Sequence, residues 1–141
     1  MGPQCVSDLV HSRLTGRILG AFYAVYAELG AGFLESVYEE ALIRVLLRDG
    51  VRVQRQLIVP VWFRGEIIAR FRADIVVERT VLVELKAVRT ITPAHDAQLL
   101  NLLKATRSHL GLLLNFGPRP EMRRRVFGSP PKASVFVRGP S

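Results

Sequence analysis

The stretch that decides the fold is Phe71-Arg72-Ala73-Asp74-Ile75-Val76-Val77-Glu78-Arg79-Thr80-Val81-Leu82-Val83-Glu84-Leu85-Lys86-Ala87. Two runs rich in β-branched residues flank a polar triplet, so the segment reads as a hairpin with Glu78-Arg79-Thr80 as its loop. In that register Val77 faces Val81, Ile75 faces Val83 and Ala73 faces Leu85, which makes one apolar face. The other face sets Val76 against Leu82, Asp74 against Glu84 and Arg72 against Lys86. A slip of one residue would mix the two sets, and burial of the apolar face opposes it.

Like charges directly opposite one another in an antiparallel pair destabilise it. Asp74 against Glu84 therefore breaks a local rule inside a hydrophobic hairpin, as functional sites often do. A divalent cation removes the repulsion. Two carboxylates suit magnesium, with manganese as the alternative, because water and a substrate phosphate complete the shell. Lys86 projects from the same face, where it could orient or deprotonate a metal-bound water or neutralise charge on a phosphate. A plain ion cluster, with Arg72 and Lys86 balancing the two acids, accounts for the same four residues on pattern alone.

Working outward, apolar residues at helical spacing (Ile18, Leu19, Phe22, Val25, Tyr26, Leu29) predict a helix from a Thr15 N-cap to about Leu29, ended by Gly30. A second helix is expected from about Phe33 to Arg48, stopped by Gly50, with Gly32 as its N-cap and Glu35 at the third position. From Val51 the pattern turns to β, with a turn at Arg64-Gly65 and with Trp62 and Phe63 read as strand core. Thr92-Pro93 opens a helix to about Thr106, and His95 in its first turn reads as a capping or packing residue. Leu110–Phe116 is apolar enough for a strand buried on both faces. The expected order is α, α, β, β, β, α, β: an α/β fold with a mixed β-sheet flanked by helices, in two or three layers.

The chain has 141 residues, suited to one domain, here 1–127, with a basic C-terminal tail over 128–141. A 49% hydrophobic share excludes a disordered class. Of the net charge of +8, +5 falls after residue 116, where six basic residues face one acid. That bias points to a polyanion partner, and Arg123-Arg124-Arg125 could grip a phosphate backbone; a solvated charge run explains them nearly as well. Cys5 is the single cysteine, so no internal disulfide is expected and a reducing cytosol suits the chain. No secretory leader and no membrane span are expected either, so the protein reads as cytoplasmic. Homo-oligomer formation is left open.

Asp74 followed by Glu84-Leu85-Lys86 resembles the signature of the PD-(D/E)XK nuclease superfamily, with Ala73 where its proline would stand. Gly32-Phe33-Leu34-Glu35-Ser36-Val37-Tyr38 resembles the motif of the GxxExxY protein family. The likeness continues through Gln56, Pro60, Arg72-Ala73-Asp74, His95, Gln98-Leu99-Leu100-Asn101 and Leu114-Asn115-Phe116-Gly117, or roughly residues 15 to 126. It implies a restriction-endonuclease-like core, metal at Asp74 and Glu84 with the Leu85 backbone carbonyl, and Lys86 as the catalytic lysine. By the same resemblance Glu35 joins the metal shell, with Glu39 a weaker candidate, although helix capping explains Glu35 equally well. Gln98 resembles the glutamine of a Gln-x-x-x-Tyr motif whose fifth position is here Leu102. The function implied is magnesium-dependent hydrolysis of nucleic acid, DNA before RNA, with Arg72 and Arg123–Arg125 as contacts. The alternatives are a catalytically silent nucleic-acid-binding module and a protein-interaction domain on the same fold.

Overall fold

The structure is a computed structural model that describes residues 3–128, with side chains from residue 12 onward. The segment 129–141, which holds nearly all of the predicted tail, and the side chains of Cys5 and His11 lie outside the described residues. Eight elements follow one another: α1 (Pro3–Leu29), α2 (Glu35–Arg48), β1 (Val53–Phe63), β2 (Glu66–Val77), β3 (Val81–Lys86), α3 (Pro93–Thr106), β4 (Leu110–Phe116) and β5 (Pro120–Val126). The strands form one mixed sheet in the order β1-β2-β3-β4-β5. Only β3 and β4 run parallel, because α3 between them supplies the crossover that a parallel pair needs.

Three layers result. On one face α1 and α2 pack Ile18, Phe22, Val25, Tyr38, Leu42 and Leu46 against Ile75, Val77, Val83, Leu85 and alternate residues of β4. On the other, α3 packs Leu99, Leu102 and Leu103 against Val59, Val76, Leu82 and Leu113. β3 and β4 are thus covered on both sides, which explains their nearly continuous apolar sequence. At Gly111 an added Cβ would meet Leu99 Cδ1 at 2.8 Å, so the missing side chain is what lets α3 lie so near the sheet.

The hairpin has the expected register, Val77↔Val81, Val76↔Leu82 and Ile75↔Val83. Its loop puts Glu78 and Arg79 at φ 52° and 54°, with the Thr80 N–H donating to the Val77 carbonyl at 3.0 Å. Those are the signs of a type I′ turn, made here without glycine or asparagine.

Several expectations need correction. α1 begins at Pro3, so Thr15 is not a cap but lies mid-helix, its hydroxyl buried without a partner. α2 begins at Glu35 with Leu34 as N-cap and no side-chain cap, so Glu35 is the first helical residue, not the third. Ala73 packs with Val76 on the α3 side rather than with Leu85. The strand kinks between them: β1–β2 pairing skips Gln56, which sits in a left-handed conformation (φ 52°) opposite Asp74. Phe63 is 54% exposed rather than core, because the tip of the β1–β2 hairpin runs past the covering helices; Arg64 lies over its ring at 5.0 Å. The basic run forms a fifth strand, β5, which the sequence reading did not anticipate.

Candidate active site

β2 and β3 part company at Ile75↔Val83, where the backbone ladder between them ends. Two carboxylates take over beyond that point. The Asp74 N–H donates to Glu84 Oε1 at 3.0 Å, and the Leu85 N–H donates to Asp74 Oδ2 at 2.9 Å. Each acid replaces a carbonyl that the neighbouring strand no longer presents, so the facing acids inferred from the pattern are also stitches in the sheet. The two carboxyls also hydrogen-bond to each other, so the acids form one linked pair at the end of the ladder.

This arrangement is electrostatically loaded. Burial, followed by the charge of Asp74, pushes the Glu84 carboxyl from 4.5 up to about 8. Burial also raises Asp74, with Glu39 adding to the effect and Lys86 opposing it. Near neutral pH the metal-free pair therefore keeps a proton. Glu35 stays solvent-accessible, yet partial burial and then Asp74 raise its carboxyl, and Lys86 lowers it. Glu35, Asp74, Glu84 and Lys86 thus act on one another electrostatically.

The loops that aim these residues are tied down. Tyr38, fully buried and stacked on Phe116 at 4.3 Å, donates its hydroxyl proton to the Gly30 carbonyl and accepts the Phe33 N–H at 3.1 Å. The Gly30–Leu34 break is thereby pinned, with Gly32 at φ 112°, and it delivers Glu35 at the start of α2. One turn on, Glu39 accepts a hydrogen bond from Gln56 Nε2 at 2.7 Å, tying α2 to the strained residue beside Asp74. On the far side Lys86 pairs with Asn115 of β4. Asn115 is wholly buried and clamps Val88: Oδ1 accepts the Val88 N–H and Nδ2 donates to the Val88 carbonyl, both at 2.9 Å. Gly117 leaves room for that carbonyl, which any Cβ would strike.

A cleft of about 350 Å³ opens beside the acids, lined by Asp74, Glu84 and Lys86, by Arg70, Phe71 and Arg72 from β2, and by Gln98, Asn101 and Leu102 from α3. Arg72 and Gln98 thus join the site. Leu102, only 4% exposed, also belongs to the core under the sheet. His95 is spent on the helix start: its Nδ1 accepts the Thr92 N–H at 3.0 Å, and Thr92 Oγ1 caps the His95 N–H. The three arginines expected to act together do not share a face. Strand alternation separates Arg124 from Arg123 and Arg125, and the latter two pair with Glu121 (3.8 Å) and Asp96 (3.0 Å). Asn115 was legible as the one polar side chain in an apolar strand. Arg70, Phe71 and the strain at Gln56 carried no comparable signal.

A carboxylate pair and a lysine stand on adjoining strands, at the point where a mixed sheet opens between helices, in a nuclease-like α/β fold. A profile of the PD-(D/E)XK nuclease superfamily matches residues 12–126, and the chain belongs to that superfamily. Among solved structures, that of the protein SSO0001 aligns with a TM-score of 0.52 and 18% identity over 65% of this chain, which spans about half (50%) of that one. The family match and the mixed five-stranded sheet flanked by three helices bear out the restriction-endonuclease-like fold. A looser likeness, TM-score 0.40 at 18% identity, links 64% of this chain to 75% of the Holliday junction resolvase Hjc of Archaeoglobus fulgidus. No curated protein matches the sequence.

Proposed function

We propose that the protein is a magnesium-dependent nuclease that hydrolyses phosphodiester bonds in nucleic acid, DNA in preference to RNA. The carrying observation is the Asp74–Glu84 pair where β2 and β3 separate, with Lys86 two residues on. The residues fit a divalent cation. Burial raises both acids although Lys86 opposes it, so a further positive charge would relieve the pair, and hard oxygen donors match magnesium. Among the described residues no three His, Cys, Asp or Glu side chains enclose a metal by themselves. Asp74, Glu84 and the Leu85 carbonyl would hold it, with Glu35 in an outer role and water and phosphate completing the shell. When bound, the cation supplies Lewis acidity towards a phosphoryl oxygen and a more acidic water.

The chain's own residues do the rest. Lys86 sits on rigid β3, braced by β4 and the Asn115 clamp, and neutralises charge developing on the phosphate or orients the attacking water. Arg70 and Arg72 hold the backbone on either side of the scissile phosphate. The Tyr38 clamp on the Gly30–Leu34 break gives Gly32, Glu35 and Tyr38 one shared task, which supports the finer assignment to the GxxExxY family. A cytoplasmic location belongs to the same proposal.

The test is cleavage of plasmid, linear and branched DNA, and of RNA, with magnesium, manganese or chelator, by wild type and Lys86→Ala. Metal-dependent cleavage by the wild type, lost in the variant, supports the reading; equal cleavage by both, or none on any substrate, overturns it. The buried Leu102 at the motif tyrosine favours a second reading, a binding module without turnover. Metal-independent binding with no cleavage would establish that one.

A further inference from the structure

We propose that the cleft beside the acidic pair receives one unpaired nucleobase, so that the protein acts where nucleotides are displaced from a duplex. The proposal rests on the nuclease reading and deepens it by naming the substrate class. The cleft's volume of about 350 Å³ lies at the small end of the about 300–1,000 Å³ typical of small-molecule sites. That is room for one nucleobase with its sugar. An extruded or single-stranded base can enter; a base held in a duplex has first to leave its stack.

The walls match a base better than a bare backbone. Phe71 is 37% exposed and lines the cleft, whereas Val59, its cross-strand partner, is fully buried. An accessible ring beside Arg70 and Arg72 is the combination on which unpaired bases stack while the sugar-phosphate is held by charge. Opposite, Gln98 and Asn101 stand one turn apart on α3, so they share a helix face. Both are exposed, and neither side chain has a hydrogen-bond partner among the described residues. Each amide offers a donor and an acceptor, the pair of functions that reads a base edge. Leu102 makes the floor apolar at the position where the resemblance would place a hydroxyl. A cleft that met only phosphates would use neither the ring nor the amides.

The experiment compares three labelled DNAs: a blunt duplex, the same duplex with a central unpaired bubble, and that bubble made abasic. Binding is read by fluorescence anisotropy in calcium and cleavage in magnesium. The bubble should be favoured over the duplex by about tenfold or more, and the abasic bubble should lose that advantage. Phe71→Leu and Asn101→Ala should each lower the bubble towards the duplex, with folding checked by thermal unfolding. Equal magnesium-dependent cleavage of all three DNAs, or full retention of the preference in both variants, removes the base site and leaves the nuclease reading standing. A tenfold binding preference for the base-containing bubble with no cleavage does the reverse. No preference and no cleavage overturns both.

Discussion

Replacing Glu84 with glutamine should make the metal-free protein more stable, although it removes a ligand from the active site. Glu84 carries its proton up to about pH 8 in the folded chain, against 4.5 when unperturbed. Between those values the native state binds a proton that the unfolded chain has released. Native stability therefore falls as pH rises through that window, by up to about 1.4 kcal/mol per pH unit. At pH 7 the accumulated cost is about 3 kcal/mol. The amide does not titrate, still offers an oxygen to the Asp74 N–H, and can donate to Asp74 where the carboxylate repelled it. Glu84→Gln should thus melt higher than wild type by roughly 10 °C at pH 7, by more at pH 8, and by almost nothing near pH 4.5. The assay is thermal and urea unfolding across that range in chelator, repeated with magnesium. Saturating magnesium should raise the wild type, with release of a proton, and leave the variant nearly unmoved. A variant less stable than wild type at pH 8, or a difference independent of pH, refutes the reasoning.

Three further outcomes follow from the same geometry. Tyr38→Phe keeps the stacking on Phe116 but strands the Phe33 N–H and the Gly30 carbonyl; urea unfolding should show a loss of about 1–3 kcal/mol, and cleavage should slow because Glu35 is no longer held in place. Asn115→Ala removes both bonds to Val88 from a fully buried position; a loss of about 2–4 kcal/mol is expected, with hydrogen exchange of the Val88 amide rising first. Leu102→Tyr, which restores the motif residue, should destabilise by about 1–3 kcal/mol through overpacking and should not raise the cleavage rate; a faster, equally stable variant would show that the leucine is what limits turnover.

The hairpin register was legible because two incompatible residue sets alternate along it, and only one alignment keeps them apart. The end of the ladder was not, since it depends on side-chain oxygens accepting backbone N–H groups, an exchange that leaves no periodicity. Glu35 was found through its motif, but its helical position was misjudged because Gly32 looked like a cap while Tyr38 holds the break from inside the core. The start of α1 was hidden by Thr15-Gly16, a capping pattern that the continuous helix from Pro3 overrides. β5 was missed because Arg124 interrupts the apolar side of a strand that pairs with β4 through its backbone. The cleft could not have been read at all: Phe71, Gln98 and Asn101 meet only once the β1–β2 kink and the packing of α3 are in place.

The carboxylates that stitch β2 to β3 bear on how such a protein can decay. Asp74 and Glu84 are rungs as well as ligands, so a lineage that abandoned hydrolysis would still need an acceptor oxygen at both positions. Lys86 has no such second duty. Retired relatives should therefore lose the lysine first and drift to asparagine and glutamine at the acids, leaving a site that looks intact in outline and has lost only its charge.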